Sequence, residues 1–122
     1  MQCNDLVSVG SYIAEFNEAT DQSIPCCTIY QSVGLEKHIL KRHPFEVENL
    51  KHVPNIIKHP DYIGKKPKEN NSIELVKRIG ENIQVCIKLD SSENYVYVAS
   101  VYTISDGKLK NRLNSGRLKI FR

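Results

Sequence analysis

The chain has 122 residues, with 17 Lys and Arg against 14 Asp and Glu, four Cys and no Trp. That length suits one domain spanning residues 1–122, and 40% hydrophobic with 25% charged residues excludes a disordered, collagen-like or disulfide-framework chain. No apolar run approaches the ~18 residues of a membrane span and no signal peptide opens the sequence. The expectation is therefore a cytoplasmic protein with no membrane partner, its cysteines reduced and mostly buried. A net charge of +3 permits a nucleic-acid partner without requiring one.

Residues 6–16 place Val7, Val9, Tyr12, Ile13 and Phe16 around Gly10-Ser11, which reads as a strand with a glycine bend. The polar run 17–23 is turn chemistry, and residues 24–30 form a second strand pairing with the first as a hairpin. After Gly34, residues 35–43 have helical spacing, with Leu35, Ile39 and Leu40 apolar, and Pro44 stops them. Residues 46–53 carry Val47, Leu50 and Val53 at threefold steps, a second amphipathic helix, and Pro54 opens a further turn through Ile56 and Ile57. Residues 61–71 hold a Gly, a Pro, three Lys and two Asn, a basic loop.

From residue 72 the hydrophobic period changes to two. Strands are expected over 72–79, 82–90 and 95–103, joined by Gly80-Glu81 and by the polar loop 91–94. In the middle strand Ile83, Val85, Ile87 and Leu89 share one face, and Gln84, Cys86 and Lys88 the other. In the third strand, alternation puts Ser100 and Tyr102 on one face with Val96 and Val98. Ser105 or Asp106 caps a last helix that stops at Asn114-Ser115-Gly116, and residues 118–122 add a short edge strand. Helices and strands are segregated along the chain. The fold class is α+β, with N-terminal helices packed on an antiparallel sheet and an added N-terminal β-hairpin over residues 1–31. No dinucleotide or phosphate-loop motif occurs.

Three constellations could carry chemistry. His38 and Arg42 lie four residues apart, on one helix face at the edge of its apolar stripe, and His43 falls on the opposite flank. Imidazole can act as general base or acid near neutrality, and a guanidinium fork fits phosphate. The bland alternative is that basic residues near a helix C-terminus merely favour its dipole. Lys88, Ser100 and Tyr102 on adjacent strands could line a polar patch donating to a phosphate, or be a solvated charge and ordinary strand residues. The run from Asn111 to Arg117, with Arg112, Asn114 and Gly116, could cradle a phosphate or read a base edge, though a helix stop with solvated charges would look alike. Asn71 and Ser72, ending the basic loop, offer a similar polar surface. The four His lack paired Cys ligands and any H-E-x-x-H spacing, so no metal site is expected.

The ordered run His38-Ile39-Leu40-Lys41-Arg42-His43-Pro44, Ile57-x-x-Pro60-Asp61-Tyr62-Ile63-Gly64, Pro67-Lys68 and Asn71-Ser72-Ile73-Glu74 resembles phage-encoded domains of the barnase–EndoU–colicin E5/D–RelE-like (BECR) nuclease superfamily. Tyr97-Val98-Ala99-Ser100-x-Tyr102 and the ending Asn111-Arg112-Leu113-Asn114-Ser115-Gly116-Arg117 belong to the same pattern, which covers residues 33–118. The resemblance implies helices preceding a four-stranded antiparallel sheet, with a core over residues 32–118 and the hairpin outside it. It also implies a toxin-like, metal-independent endoribonuclease of phage or mobile-element origin, without cofactor, in which the RNA's own 2′-OH is the nucleophile. Carried over by position, His38 is the general base or acid and His43 takes the opposite role. Arg42 and Lys88 neutralise the phosphate, and Ser100 with Tyr102 position it or complete proton transfer. Asn71, Ser72, Asn111, Arg112, Asn114 and Arg117 are the candidates for holding the substrate. The implied partners are RNA and an immunity or host protein, with the hairpin available for a homodimer. The alternative is a non-catalytic RNA- or protein-binding module on the same fold.

Overall fold

The computed structural model describes residues 6–42 and 44–121. In chain order these form β1 (Leu6–Ser11), α1 (Ala14–Thr20), β2 (Thr28–Ser32), α2 (Val33–Arg42), a 3-10 helical segment (Pro44–His52), α3 (Val53–Lys58), β3 (Tyr62–Gly64), β4 (Ser72–Ile79), β5 (Glu81–Asp90), β6 (Tyr95–Ile104), α4 (Asp106–Ser115) and β7 (Leu118–Ile120). The strands make one seven-stranded sheet in the order β1-β2-β6-β5-β4-β3-β7. The fold is α+β, as the segregation of elements implies.

The sheet is mixed, which corrects the expectation of a purely antiparallel one. β2 runs parallel to β6 through Ile29↔Val96 and Tyr30↔Tyr97, whereas the other neighbouring strands are antiparallel. The N-terminal strands do pair antiparallel, Leu6↔Ser32 to Ser11↔Thr28. Their connection contains a helix, so the first strand ends at Ser11 and not at Phe16. Tyr12 and Phe16 are instead buried beneath it, ring centroids 5.3 Å apart and edge to face. Asn17 ties this turn together: its Oδ1 accepts from the Tyr12 hydroxyl at 2.8 Å and its Nδ2 donates to the Ile24 carbonyl at 2.7 Å. Residues 46–53 also differ from expectation, since most of them wind as a 3-10 helix, in which side chains three apart eclipse.

The central meander β4-β5-β6 follows the period-two pattern. On one face Ile73, Leu75, Ile83, Val85, Ile87, Val96, Val98 and Val101 meet Phe16, Leu35, Ile39, Val53, Ile56 and Ile57 from the helices in the main core. Each large aliphatic side chain buried there contributes roughly 1.5–3 kcal/mol. On the other face α4 covers only one end, through Leu109 against Val76, Ile104 and Leu118. Ser105 caps α4 by accepting from the Lys108 N–H at 3.0 Å, and Gly116 ends it in the left-handed region at φ 84°. The part of this face that α4 leaves open is where the polar residues gather.

Two local features shape that region. β6 contains a bulge: Cys86 pairs with Ser100 but Ile87 pairs with Val98, so Ala99 is the extra residue. A bulge inverts the side-chain alternation, and Ser100 and Tyr102 therefore face away from Val96 and Val98. Uninterrupted alternation would have put all four on one face. The second feature is the loop 61–71, expected to be irregular, which carries β3 between β4 and β7. A Cβ on Gly64 would lie 1.7 Å from the Arg117 carbonyl oxygen, so only glycine lets the chain after α4 approach this closely.

Candidate active site

Alternation along β4 and β5 puts Ser72, Glu74, Gln84, Cys86 and Lys88 on the same side of the sheet, with Glu74↔Cys86 and Ser72↔Lys88 as direct cross-strand partners. The β6 bulge adds Ser100 opposite Cys86 and Tyr102 opposite Gln84. Glu74 is 3% exposed and Gln84 is fully buried, so both must be satisfied within the protein. Arg117, which precedes β7, grips Glu74 with two bonds, Nε to Oε1 at 2.8 Å and Nη2 to Oε2 at 2.6 Å. This forked geometry is the strong form of the ion pair, and the hydrogen bonds to Glu74 push the Arg117 pKa up.

Gln84 sits at the centre of the network. Its Oε1 accepts from Arg112 Nη1, and its Nε2 donates to Glu74 Oε2 at 3.0 Å and to the Tyr102 hydroxyl oxygen at 2.6 Å. Arg112 has only donors and the Glu74 carboxylate only acceptors, so the amide orientation is determined by its neighbours. The Tyr102 oxygen is thus an acceptor within the protein, and its own O–H proton is left to donate elsewhere.

Glu74, Cys86, Lys88, Ser100, Tyr102 and Arg117, with Lys66, Glu69 and Ala99, line a hollow of about 240 Å³. Lys88 makes no ion pair among the described residues, so its charge is available to a ligand. Burial, reinforced by Glu74, pushes the Cys86 thiol up to about 11. It is therefore a neutral thiol at physiological pH and no nucleophile.

Around the edge of β6 a larger groove of about 820 Å³ is lined by His38 and Arg42 of α2, by Pro44, Phe45 and Glu46, and by residues 99–103. β2 pairs with β6 only at Val96 and Tyr97, which leaves the edge of its later half to the 3-10 segment. There the Glu46 carboxylate accepts from the Thr103 N–H at 2.5 Å and from the Thr103 hydroxyl at 3.2 Å. The groove and the hollow share Ala99, Ser100 and Tyr102. The α2 pair and the sheet cluster, separate constellations in the sequence, so line two adjoining depressions.

The other sequence-derived residues are distributed unevenly. Arg112 and Arg117 reach the network, but their guanidinium groups are engaged by Gln84 and Glu74. Ser72 is buried and donates to Glu69 Oε2 at 3.0 Å. Asn71 is exposed with φ 60°, its N–H bonded to Gln22. Asn111 and Asn114 are exposed on α4 and line neither depression. His43 lies outside the described residues. Cys26 and Cys27 are exposed and Cys86 is half-buried, which corrects the reading of the cysteines as mostly buried. Sequence reasoning missed Glu74, Gln84, Glu46 and Phe45 as site residues. A trace of the first two was present, since a carboxylate and an amide interrupt β-branched strands on the Cys86–Lys88 face. Among the described residues no group of three or more His, Cys, Asp and Glu side chains is placed to hold a metal ion, and no helix is long and apolar enough to cross a membrane.

A family model described as phage-Barnase-EndoU-ColicinE5/D-RelE like nuclease3 matches residues 8–111. The chain belongs to this phage-type BECR nuclease family. The matched span begins at residue 8, so it takes in most of β1 and all of β2 as well as the meander. No curated protein and no solved structure matches the chain significantly.

Proposed function

We propose that this nuclease domain cuts RNA, with the ribose 2′-OH as nucleophile and protein side chains as base, acid and phosphate counter-charges. The observation that carries the reading is the junction of groove and hollow at Ser100 and Tyr102, with His38 and Arg42 on one side and Lys88 on the other. A phosphodiester lying across Ser100 meets a titratable imidazole, two cations and a hydroxyl whose proton is uncommitted.

In this mechanism neutral His38 takes the proton from the 2′-OH, and the resulting oxygen attacks phosphorus. The bond from phosphorus to the 5′-oxygen breaks, and the Tyr102 O–H protonates that oxygen as it leaves. The products are a 2′,3′-cyclic phosphate and a 5′-hydroxyl, and both side chains then exchange protons with solvent. Arg42 and Lys88 offset the charge that develops on the non-bridging oxygens, and Ser100 donates to one of them. Gln84, held by Arg112, keeps the Tyr102 oxygen in its accepting role. His43 is the competing candidate for the acid. DNA, without a 2′-OH, should be left intact.

Purified protein should cleave RNA in EDTA and leave cyclic-phosphate ends. His38→Ala and Tyr102→Phe should each slow cleavage by ~10²–10⁴-fold. Cleavage by His38→Ala at the wild-type rate would refute the base, and a His43→Ala loss with an unaffected Tyr102→Phe would move the acid to His43. Salt-sensitive RNA binding without turnover would favour the non-catalytic module.

A further inference from the structure

Phe45 is 93% exposed, whereas Phe16 is 1% exposed in the core and Phe121 is half-buried beside it with ring centroids 5.5 Å apart. A phenyl ring left in water forgoes the burial that stabilises its counterparts, so Phe45 contributes little to folding. It is not on a loose loop. The next residue, Glu46, is anchored by both the N–H and the hydroxyl of Thr103, and the ring lines the same groove as His38, Arg42, Ser100 and Tyr102.

An exposed ring beside Arg42 and the proposed scissile position matches a nucleotide in parts, an aromatic face for the base and a cation for the adjoining phosphate. We propose that Phe45 is the stacking platform for an unpaired nucleobase next to the cleaved phosphate, which makes the substrate single-stranded RNA or a loop. This rests on the RNA-cleaving reading above. A base inside an A-form duplex has both faces occupied by its neighbours and cannot reach the ring. Stacking is tolerant of base identity, so Phe45 selects for strandedness and not for sequence. A protein partner could also use an exposed phenyl ring, but the Arg42 guanidinium and the Ser100 and Tyr102 hydroxyls that line the same groove favour a polyanion.

The chain has no Trp, so Phe45→Trp introduces a single indole at the position in question. A single-stranded 2′-O-methyl oligonucleotide, which lacks the nucleophile and cannot be cut, should quench its fluorescence. A duplex, or an abasic strand of equal charge, should not. In anisotropy titrations with the same labelled oligonucleotide, Phe45→Ala should bind ~5- to 150-fold more weakly than wild type, and Phe45→Tyr should bind nearly as well. Equal quenching by the abasic strand, or an unchanged Kd for Phe45→Ala, overturns the stacking role. Because the probe is not cleaved, the two readings fail separately. RNA cleavage that ignores Phe45→Ala overturns only the platform, and base-dependent quenching without RNA cleavage overturns only the mechanism.

Discussion

Replacing Arg117 with Met would strip the Glu74 carboxylate of its forked partner while leaving it 3% exposed. Removing one member of a buried ion pair costs ~3–5 kcal/mol, because the surviving charge stays desolvated. Two features of the site soften this. The Arg117 side chain is itself 20% exposed, so part of its attraction is screened, and Gln84 Nε2 still donates to Glu74 at 3.0 Å. A loss of ~2–3 kcal/mol is the expectation. With a urea m-value of ~1–3 kcal/mol/M, the unfolding midpoint should fall by roughly 0.7–3 M. The double variant Glu74→Met/Arg117→Met removes both charges, and Gln84 Nε2 keeps the Tyr102 oxygen as acceptor at 2.6 Å. It should be more stable than Arg117→Met alone, giving a clear coupling energy in the cycle. An Arg117→Met midpoint within experimental error of wild type would refute the argument. So would a double variant whose loss equals the sum of the two single losses.

Gly64→Ala forces a Cβ to 1.7 Å from the Arg117 carbonyl oxygen. Since overpacking ordinarily costs ~1–3 kcal/mol and backbone cannot rotate away as a side chain can, the variant should lose at least that much in thermal unfolding and a melting point near wild type would disprove the contact. Glu46→Ala should cost ~1.5–3 kcal/mol for its charge-assisted bonds and speed hydrogen exchange at the Thr103 amide, an amide that should otherwise be protected by the 2.5 Å bond to Glu46; unchanged protection would show that the 3-10 segment is held by something else. Burial raises Cys86 to about 11 from 9.0, so its folded-state thiolate is disfavoured and the resulting stability is present below about pH 9 and lost as pH rises toward 11. At pH 8 exposed Cys26 should alkylate with iodoacetamide well before Cys86, and peptide mass spectrometry showing equal rates would contradict the burial.

The β-rich half of the chain was the most legible. Strands over 72–79, 82–90 and 95–103 correspond within a residue or so to β4, β5 and β6, because each is long and rich in β-branched residues, and burial of one face determines its register except where the Ala99 bulge shifts β6. The Ser105 cap and the Gly116 stop of α4 were readable because each performs a local backbone task. β3 was hidden because three residues carry no periodicity, and its pairing depends on β4 and β7. The helix at Ala14–Thr20 looked like the end of a strand followed by a polar turn, because Tyr12 and Phe16 are apolar in either reading and residues 17–20 include Asn, Glu and Thr. Only the core they enter separates the two.

Of the candidate site, the residue types that could handle a phosphate were evident from the sequence, since imidazole, guanidinium, ammonium and hydroxyl groups are few and their roles follow from their chemistry. The chain's membership in a phage-type nuclease family was equally legible from short motifs in a defined order, and the family match over residues 8–111 bears out the family. Which of those groups are free to act was decided by tertiary structure. Arg112 and Arg117 look like substrate cations in the sequence, but Gln84 and Glu74 engage them. The extra residue Ala99 turns Ser100 and Tyr102 to the open face. Period and composition are properties of neighbours along the chain and can be read there. Hydrogen-bond partnership and access to solvent arise between residues tens of positions apart, and exist only once the sheet has brought them together.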